Sequence, residues 1–290
     1  MVKNVLVKIV IKSRVGVGDS MKGKSNLHRV FDFIGKYPKA KSLVWKFWYR
    51  YLTNLDKKAD MTFMNYGYAS KRKFPLEKVD ESNRYCVQLY DHVASKVNLR
   101  NLDVLEVGCG RGGGSSYIMR YMHPKSMTGL DFSENAIEFC KKHYSIKGLS
   151  FIAGAAEALP FDSNKFNVVV NIESSHCYAN IPKFLGEVSR VLKKKAYFLF
   201  ADFRNKEYLG ILFRQLRNSD FELLEKENIT KNILKSLDLD NARKIKIINQ
   251  KIPIIFRKIF YEFAGIGGSN VYNSFKTGKR EYFSFILKKK

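Results

Sequence analysis

The sequence predicts an α/β fold, in which helices cover both faces of a Rossmann-like, largely parallel sheet. Three observations support this prediction. A short apolar strand, Val104 to Val107, ends in a glycine-rich turn that leads directly into a helix. The next strand, Ser126 to Leu130, ends at Asp131. The segment Phe166 to Val170 is almost wholly apolar, which is typical of a strand buried on both faces of a parallel sheet.

The glycine turn predicts a ligand at the start of the following helix. Gly108, Gly110 and Gly113 match the pattern G-x-G-x-x-G, which is a weak signal when it stands alone. The free amides of a helix N-terminus favour negative groups, and we expect Gly112 to Gly114 to let a ligand approach bare backbone. Taken alone, the turn is also compatible with a flexible loop that binds nothing.

The acidic residue after the second strand narrows the choice of ligand. A carboxylate at the end of this strand accepts hydrogen bonds from ribose hydroxyls in nucleotide-binding sheets. Asp131 has this position, although an aspartate before a helix can also serve only as a cap. Ser133 is predicted to cap the next helix, with Glu134 in its first turn.

Apolar periodicity places the other elements. We expect helices near residues 41–55, 80–96 and 184–192, and again at 206–217, 230–237 and 252–263. Further strands are expected at 149–153, 197–201, 245–248 and 282–287.

Several motifs, in this order, resemble the class I S-adenosylmethionine-dependent methyltransferases: EVGCGRGGG, GLDFS, AEALPF and the acidic turn after FNVVV. MNYGYA, ESNRYCVQLYDHVA, NIESSHCY and the C-terminal GSNVYNSFKTGKREYFSFILKK resemble one subgroup, the phthiotriol/phenolphthiotriol dimycocerosate methyltransferases and related lipid O-methyltransferases. The resemblance implies a seven-stranded sheet whose last strand is antiparallel. It also implies a helical lid, formed by N-terminal and late C-terminal segments.

The same resemblance implies how S-adenosylmethionine is held. The glycine loop, with Gly108, Gly110 and Gly112, would bind the methionine part, and Glu106 its amino end. Asp131 would bind the ribose. The remaining cofactor contacts would come from Ala156 and Glu157 at the adenine, and from Phe132, Asn171 and Tyr68.

Two positions depart from the family pattern. Ala155 stands where the family usually has an aspartate, so one contact to the adenine amino group is missing and the affinity for the cofactor is expected to be weaker. Lys194, Lys195 and Ala196 replace the usual Pro-Gly-Gly turn before the fifth strand, which we interpret as a change in a loop.

Composition and length fit one catalytic domain with additions. We expect a poorly ordered extension at 1–24, a helical lid segment at 25–98, and a cofactor-binding domain at 99–290 with a lid insertion at about 205–270.

The formal net charge of +25 can attract nucleic acid, anionic membrane or acidic substrate. The helix near 41–55 has an apolar face opposite basic residues, so it can pack as a lid or lie on a membrane surface. No segment reaches the roughly 20 apolar residues of a membrane span, and the cysteine spacing predicts no metal site, so we expect a cytoplasmic protein, either free or peripherally bound to a membrane.

His176 is the candidate general base. It follows the carboxyl end of the fourth strand, where ligands lie in such sheets, and an alcohol acceptor needs a base that works near neutral pH. Glu173 is expected to orient the acceptor or the histidine. The alternative is that His176 only caps the next helix.

The predicted function is therefore O-methylation of a lipid, glycolipid or polyketide-type molecule. C-methylation of a sterol- or quinone-like substrate stays open, because related enzymes also place Glu and His in this turn. A nucleic-acid methyltransferase is disfavoured because the turn NIES lacks the Asn/Asp-Pro-Pro-aromatic motif. A nicotinamide-dependent dehydrogenase is disfavoured because neither Tyr-x-x-x-Lys pair is well placed. A binding module without activity is a further alternative, and the sequence leaves the oligomeric state open.

Overall fold

The computed structural model describes residues 61–72 and 74–290. The extension predicted at 1–24 and the helix predicted near 41–55 lie outside these residues. Within the described residues, none of the helices combines the length and the apolar run that are needed to span a bilayer.

Seven strands form one sheet. Their bounds are β1 Asp103–Val107, β2 Ser126–Asp131, β3 Leu149–Ala153, β4 Phe166–Ile172, β5 Leu192–Asn205, β6 Phe221–Asn228 and β7 Arg280–Lys289. Their order across the sheet is β3-β2-β1-β4-β5-β7-β6. The first five strands run parallel, whereas β7 is antiparallel to both of its neighbours, β5 and β6. The predicted fold, including the antiparallel last strand, is confirmed.

The helices of the described residues connect these strands or follow them. Their bounds are α1 Lys78–Glu81, α2 Arg84–Ala94, α3 Gly113–Met122, α4 Glu134–His143, α5 Ile181–Val191, α6 Lys206–Arg217, α7 Thr230–Lys251, α8 Ile254–Phe263 and α9 Asn270–Lys276. A 3-10 turn, Ser175–Cys177, follows β4. Ser133 caps α4 as predicted, since its hydroxyl accepts from the backbone N–H of Ala136 at 3.3 Å.

The core has two halves, one on each face of the sheet. Successive side chains of a strand point to opposite faces, so Leu105 and Val169 pack with α5 and α6 on one side. Val104 and Val168 pack with α2, α3 and α7 on the other side. This burial on both faces explains why β4 is apolar along nearly its whole length.

One predicted element is wrong, and one strand of the sheet was not predicted. Residues 245–248, predicted as a strand, lie inside the long helix α7. Their isoleucines follow a helical period, since Ile245, Ile248 and Ile252 share one apolar cluster. The sixth strand is instead Phe221–Asn228, an edge strand with one neighbour and many exposed charged side chains, so its apolar signal is weak. The segment 205–270, expected as a lid insertion, therefore contains one strand of the sheet.

The Lys194–Ala196 segment distorts the start of β5. Phe166 pairs with Leu192, but two residues further along β4, Val168 already pairs with Tyr197. The intervening residues of β5 bulge out, and Lys195 has a positive φ of 58°. The departure from the family pattern is therefore accommodated in a surface irregularity at the end of the strand opposite to the candidate site.

Candidate functional site

The candidate site lies at the carboxyl ends of β1, β2, β4 and β5. These strands are neighbours in the parallel part of the sheet, so their ends meet at one edge. Glu106, Asp131, Asn171 and Asp202 lie at or near those ends, and all four are buried. This arrangement brings together the acidic residues predicted from the sequence and one that was not predicted, Asp202.

Glu106 is completely buried in β1. One of its carboxylate oxygens accepts from the Tyr90 hydroxyl at 2.6 Å, and the other accepts a very short hydrogen bond from the Ser115 hydroxyl. Burial raises the pKa of Glu106 to about 7, although these hydrogen bonds oppose the shift. A cationic group beside Glu106 would favour its ionised form.

The glycine loop is closely packed except at one position. A Cβ at Gly108 would lie 1.9 Å from the Ser174 hydroxyl, and at Gly114 it would lie 1.9 Å from the Tyr90 ring. The corresponding space at Gly112 is filled by Tyr144, Cys140 and Phe151, and at Gly113 by Thr62 and Phe63. A Cβ at Gly110 would meet nothing within 4 Å. These contacts explain why the chain has glycine at 112 to 114, and the approach of a ligand to their backbone stays a prediction.

Asp131 holds the glycine loop against the end of β2. Its carboxylate accepts from the backbone N–H of Gly110 at 2.9 Å and from that of Ser133 at 2.9 Å. Burial raises the pKa of Asp131 to about 6, against the effect of these bonds. Phe132 follows and is partly buried. The cap of α4 is Ser133 rather than Asp131, so Asp131 fixes the glycine loop and the cap residue itself, and its carboxylate can accept further hydrogen bonds from a ligand.

The segment predicted to hold adenine is fixed to the turn after β4. The Glu157 carboxylate accepts from the backbone N–H of Ala179 at 2.9 Å. Ala156 is buried, whereas Ala155 is exposed and its backbone forms an isolated bridge with Ala158. The position at which the family usually has an aspartate therefore faces open space.

Asn171 has one polar atom without a partner. Its side-chain amide donates to the carbonyl of Val107 at 2.7 Å and to the Tyr178 hydroxyl at 2.9 Å. Its carbonyl oxygen is buried and accepts no hydrogen bond. Because such an oxygen is costly to leave unpaired, it fits a ligand with a hydrogen-bond donor.

His176 pairs with Asp202, an acidic residue near the end of β5. The imidazole Nδ1 lies 2.9 Å from Asp202 Oδ1, and the backbone N–H of His176 donates to Oδ2 at 2.8 Å. Burial disfavours the charged imidazole, but the neighbouring Cys177 and Asp202 more than offset it, so the pKa of His176 is raised. Burial of Asp202 is likewise outweighed by His176 and Arg204, which lower its pKa. The sequence analysis missed Asp202, although an acidic residue directly after the apolar run Tyr197–Ala201 is the same signal that identified Asp131.

Glu173 lies three residues before His176 and has a left-handed backbone, with φ of 51°. One carboxylate oxygen accepts from the backbone N–H of Tyr66 at 2.8 Å, and the other is buried without a partner. Burial raises the pKa of Glu173 to about 8, although His176 lowers it. A strained backbone that positions a buried carboxyl is a common feature of functional sites.

Of the two tyrosines of the MNYGYA segment, Tyr66 is the one that reaches these residues. Its backbone binds Glu173, and its ring packs against Phe203 at 5.4 Å between centroids. Phe203 also contacts the His176 ring, at 4.3 Å. Tyr68 instead stacks on His92 of α2, with ring centroids 4.2 Å apart. Tyr68 therefore has a packing role, and its contact with the cofactor stays a prediction.

A cavity of about 130 Å³ borders Tyr66 on the side of helices α7 and α8. Its walls are mainly apolar, and Lys244 and Arg243 of α7 contribute basic groups. In the part of the chain that the structure describes, no group of three or more His, Cys, Asp or Glu side chains is placed to hold a metal ion. The cavity therefore offers room for an apolar molecule beside Tyr66, whose backbone binds Glu173.

Comparison with known proteins shows the family to which this fold and site belong. The family model described as "Methyltransferase domain" matches residues 98–257, so the chain belongs to this methyltransferase family. It is 36% identical to the phthiotriol/phenolphthiotriol dimycocerosates methyltransferase of Mycobacterium leprae (strain TN), over 85% of this chain and 92% of that protein. It is 37% identical to the fatty-acid O-methyltransferase of Mycolicibacterium smegmatis, over 72% of this chain and 77% of that protein.

Solved structures share the fold. A putative sarcosine dimethylglycine methyltransferase from Galdieria sulphuraria matches with a TM-score of 0.66 and 14% identity, over 83% of this chain and 97% of that one. The geranyl diphosphate C-methyltransferase from Streptomyces coelicolor A3(2), solved with S-adenosyl-L-homocysteine, matches with a TM-score of 0.59 and 13% identity, over 82% and 96%. The chain is thus an S-adenosylmethionine-dependent methyltransferase.

The residues at the sheet edge fit this cofactor. S-adenosylmethionine carries an ammonium, ribose hydroxyls and an adenine amino group, all of which donate hydrogen bonds. The site offers buried acceptors in Glu106 and Asp131, the unpartnered carbonyl oxygen of Asn171, and open space at Gly110. The polar groups of the site are therefore chemically complementary to the donors of the cofactor.

Proposed function

We propose that this enzyme transfers a methyl group from S-adenosylmethionine to a hydroxyl group of a lipid, glycolipid or polyketide-type small molecule. His176 would act as the general base, and Glu173 would orient the acceptor. The pairing of His176 with Asp202 is the observation that carries this proposal, and the apolar cavity beside Tyr66 supports it. The name of one relative, a fatty-acid O-methyltransferase, supports an oxygen atom of a lipid as the acceptor.

The His176–Asp202 pair suits proton removal. When bound, S-adenosylmethionine supplies an electrophilic methyl group on a positively charged sulfur. The pKa of His176 is raised to about 10, so its imidazole becomes a base as the pH rises. In the neutral form, Nδ1–H would donate to Asp202 and Nε2 would take the proton of the acceptor hydroxyl. The Asp202 carboxylate stabilises the imidazolium that results.

Glu173 and Tyr66 would position the acceptor. The unpartnered oxygen of Glu173 can accept a hydrogen bond from a substrate hydroxyl, or can itself carry a proton at neutral pH because burial raises its pKa to about 8. Alignment of the acceptor with the methyl group supplies much of the rate enhancement in an in-line transfer. Apolar walls around Tyr66 would hold the remainder of the molecule.

Product analysis tests this proposal. The purified enzyme is incubated with S-adenosylmethionine that carries a deuterated methyl group, and with hydroxylated lipids or the same lipids acetylated at the hydroxyl. We expect a labelled methyl ether from the free hydroxyl lipids alone. His176→Ala should lose this product, and the control His123→Asn, at an exposed histidine after α3, should keep it. Label on carbon, or equal labelling of the acetylated lipids, would contradict O-methylation.

A further inference from the structure

Lys244 places a cation in the apolar cavity under α7 and α8. Most of the cavity wall is apolar, from Met61, Met64, Ile247, Ile248, Phe260 and Phe263. The ammonium nitrogen of Lys244 lies 3.4 Å from the carbonyl oxygen of Tyr66 and 3.5 Å from that of Ala264. Both hydrogen bonds are at the long end of the normal range.

Lys244 has no carboxylate within ion-pair distance among the residues that the structure describes. An ammonium in such a position is costly, because a buried charge is normally paired. Burial lowers the pKa of Lys244, and the nearby Cys86, Asp240 and Glu173 only partly oppose this. A ligand that supplied a negative charge in the cavity would relieve the cost.

Of the other basic side chains of the cavity, Arg243 is paired with an acidic residue and Arg111 packs on an aromatic ring. The Arg243 guanidinium forms two hydrogen bonds with Asp240, at 2.5 and 2.6 Å, and a third with Asn83 at 3.3 Å. The Arg111 guanidinium lies over the Phe139 ring, 3.8 Å from its centroid. Lys244 thus offers one compact positive charge, which matches a single negative charge better than the double charge of a phosphate monoester.

The cavity adjoins the candidate catalytic residues through Tyr66. The Tyr66 carbonyl accepts from Lys244, and the Tyr66 N–H donates to Glu173. A molecule anchored at Lys244 would therefore have its neighbouring atoms close to Glu173 and His176. Its apolar chain would lie along the isoleucine and phenylalanine side chains of α7 and α8.

We propose that Lys244 binds the carboxylate of an acidic amphiphile in this cavity, and that it thereby selects acidic lipids over neutral ones. The inference rests on the proposed function in one respect, that this cavity holds the methyl acceptor. Lys244 would act as a specificity-determining residue. A charge-assisted hydrogen bond in an apolar pocket is strong enough to produce at least a tenfold difference in affinity.

Binding measurements on the full chain test the proposal without methyl transfer. The probes are hexadecanoate and hexadecanol, which share a chain and differ in the head group, each titrated in the presence of S-adenosylhomocysteine. Lys244→Met should weaken hexadecanoate binding about tenfold or more and change hexadecanol binding less than twofold. Lys244→Arg, which keeps the charge, should retain most of the affinity for the acid. The control Lys246→Met, at an exposed position of the same helix, should change neither.

Two results would overturn the proposal. One is wild-type protein that binds the alcohol as tightly as the acid, and the other is a Lys244→Met variant that loses both ligands equally or neither. Failure of the role of Lys244 can be distinguished from failure of the proposed function. Methylation of neutral hydroxylated lipids without a preference for acids would remove only the role of Lys244, whereas binding of acids through Lys244 without O-methylated product would remove only the proposed reaction.

Discussion

The cofactor side and the acceptor side of this site are assembled differently. On the cofactor side, Glu106 binds Ser115 and Tyr90, which lie 9 and 16 residues away in sequence, and Asp131 binds Gly110, 21 residues away. On the acceptor side, Glu173 binds Tyr66 across 107 residues, and Lys244 binds Tyr66 across 178. The hydrogen bonds of the two cofactor-side carboxylates join residues of one stretch of chain, whereas those of Glu173 and Lys244 join distant segments.

The two sides also differ in charge. Burial raises the pKa of Glu106 to about 7 and of Asp131 to about 6, and hydrogen bonds from the described residues only partly oppose this. On the acceptor side, His176 and Arg204 outweigh the burial of Asp202 and lower its pKa. The carboxyls of Glu106 and Asp131 therefore gain most from a ligand that brings donors and positive charge, whereas Asp202 on the acceptor side is balanced by cations of the protein itself.

The largest effect is expected on the acceptor side, from Asp202→Asn. An asparagine can keep the space filled but no longer stabilises the imidazolium, so kcat should fall about a hundredfold or more. Because Asp202 raises the pKa of His176, its loss lowers that pKa, and the rise of turnover with pH should move to lower pH. A pH series of initial rates at saturating cofactor measures both effects.

The affinity for S-adenosylmethionine serves as the control for this variant. It should be unchanged, since Asp202 belongs to the acceptor side. A pH profile with the wild-type midpoint would show that Asp202 does not act through His176.

On the cofactor side, Glu106→Gln should change how stability depends on pH. The pKa of Glu106 is higher in the folded protein than its usual 4.5, so the folded state binds this proton more tightly. Its contribution is therefore fully present below pH 4.5 and is lost as the pH rises through about 7. The variant should show a smaller drop in the free energy of unfolding between pH 5 and 8, by on the order of 2 to 3 kcal/mol. Urea denaturation of both proteins without cofactor measures this, and identical drops would contradict the burial argument.

Asp131→Ala should weaken cofactor binding by about ten- to thirtyfold. The change removes an acceptor for the ribose and leaves the buried N–H groups of Gly110 and Ser133 without their partner. Calorimetric titration with S-adenosylmethionine measures the loss, and Glu138→Ala, at an exposed position of α4, is the matched control. Wild-type affinity in Asp131→Ala would mean that the residue only fixes the backbone of Gly110 and Ser133.

The smallest effect is expected from Ala155→Asp. This exposed position lies where the family usually has an aspartate, so the variant should gain a contact to the adenine amino group. An increase in affinity of about threefold is the size expected for one added hydrogen bond that is open to solvent. Competition between S-adenosylmethionine and S-inosylmethionine, which lacks the amino group, would show whether any gain comes from that contact.

The difference between the two sides explains what the sequence could predict. The apolar strands β1 to β5, the acidic residues at their ends and the position of His176 follow from local patterns. Strand β6 was missed because an exposed edge strand has a weak apolar signal, and residues 245–248 were misassigned because four residues are too few to separate a helix from a strand.

The acceptor side was harder to predict because its contacts are tertiary. Nothing near Tyr66 in the sequence indicates that its backbone binds both Glu173 and Lys244. Likewise, the sequence shows the glycines of 112–114 but not the side chains that fill the space beside them. Asp202 is the exception, since its position directly after the apolar run of β5 is a local signal in the sequence.

The most direct test of the general-base role of His176 is the turnover of the His176→Ala variant at saturating S-adenosylmethionine, with a hydroxylated lipid as acceptor. If His176 is the general base, we expect kcat to fall by a factor of about 10² to 10⁴, the usual contribution of such a base, and the affinity for the cofactor to stay unchanged. Turnover close to that of the wild type would contradict it, because His176 would then be a structural residue rather than the base.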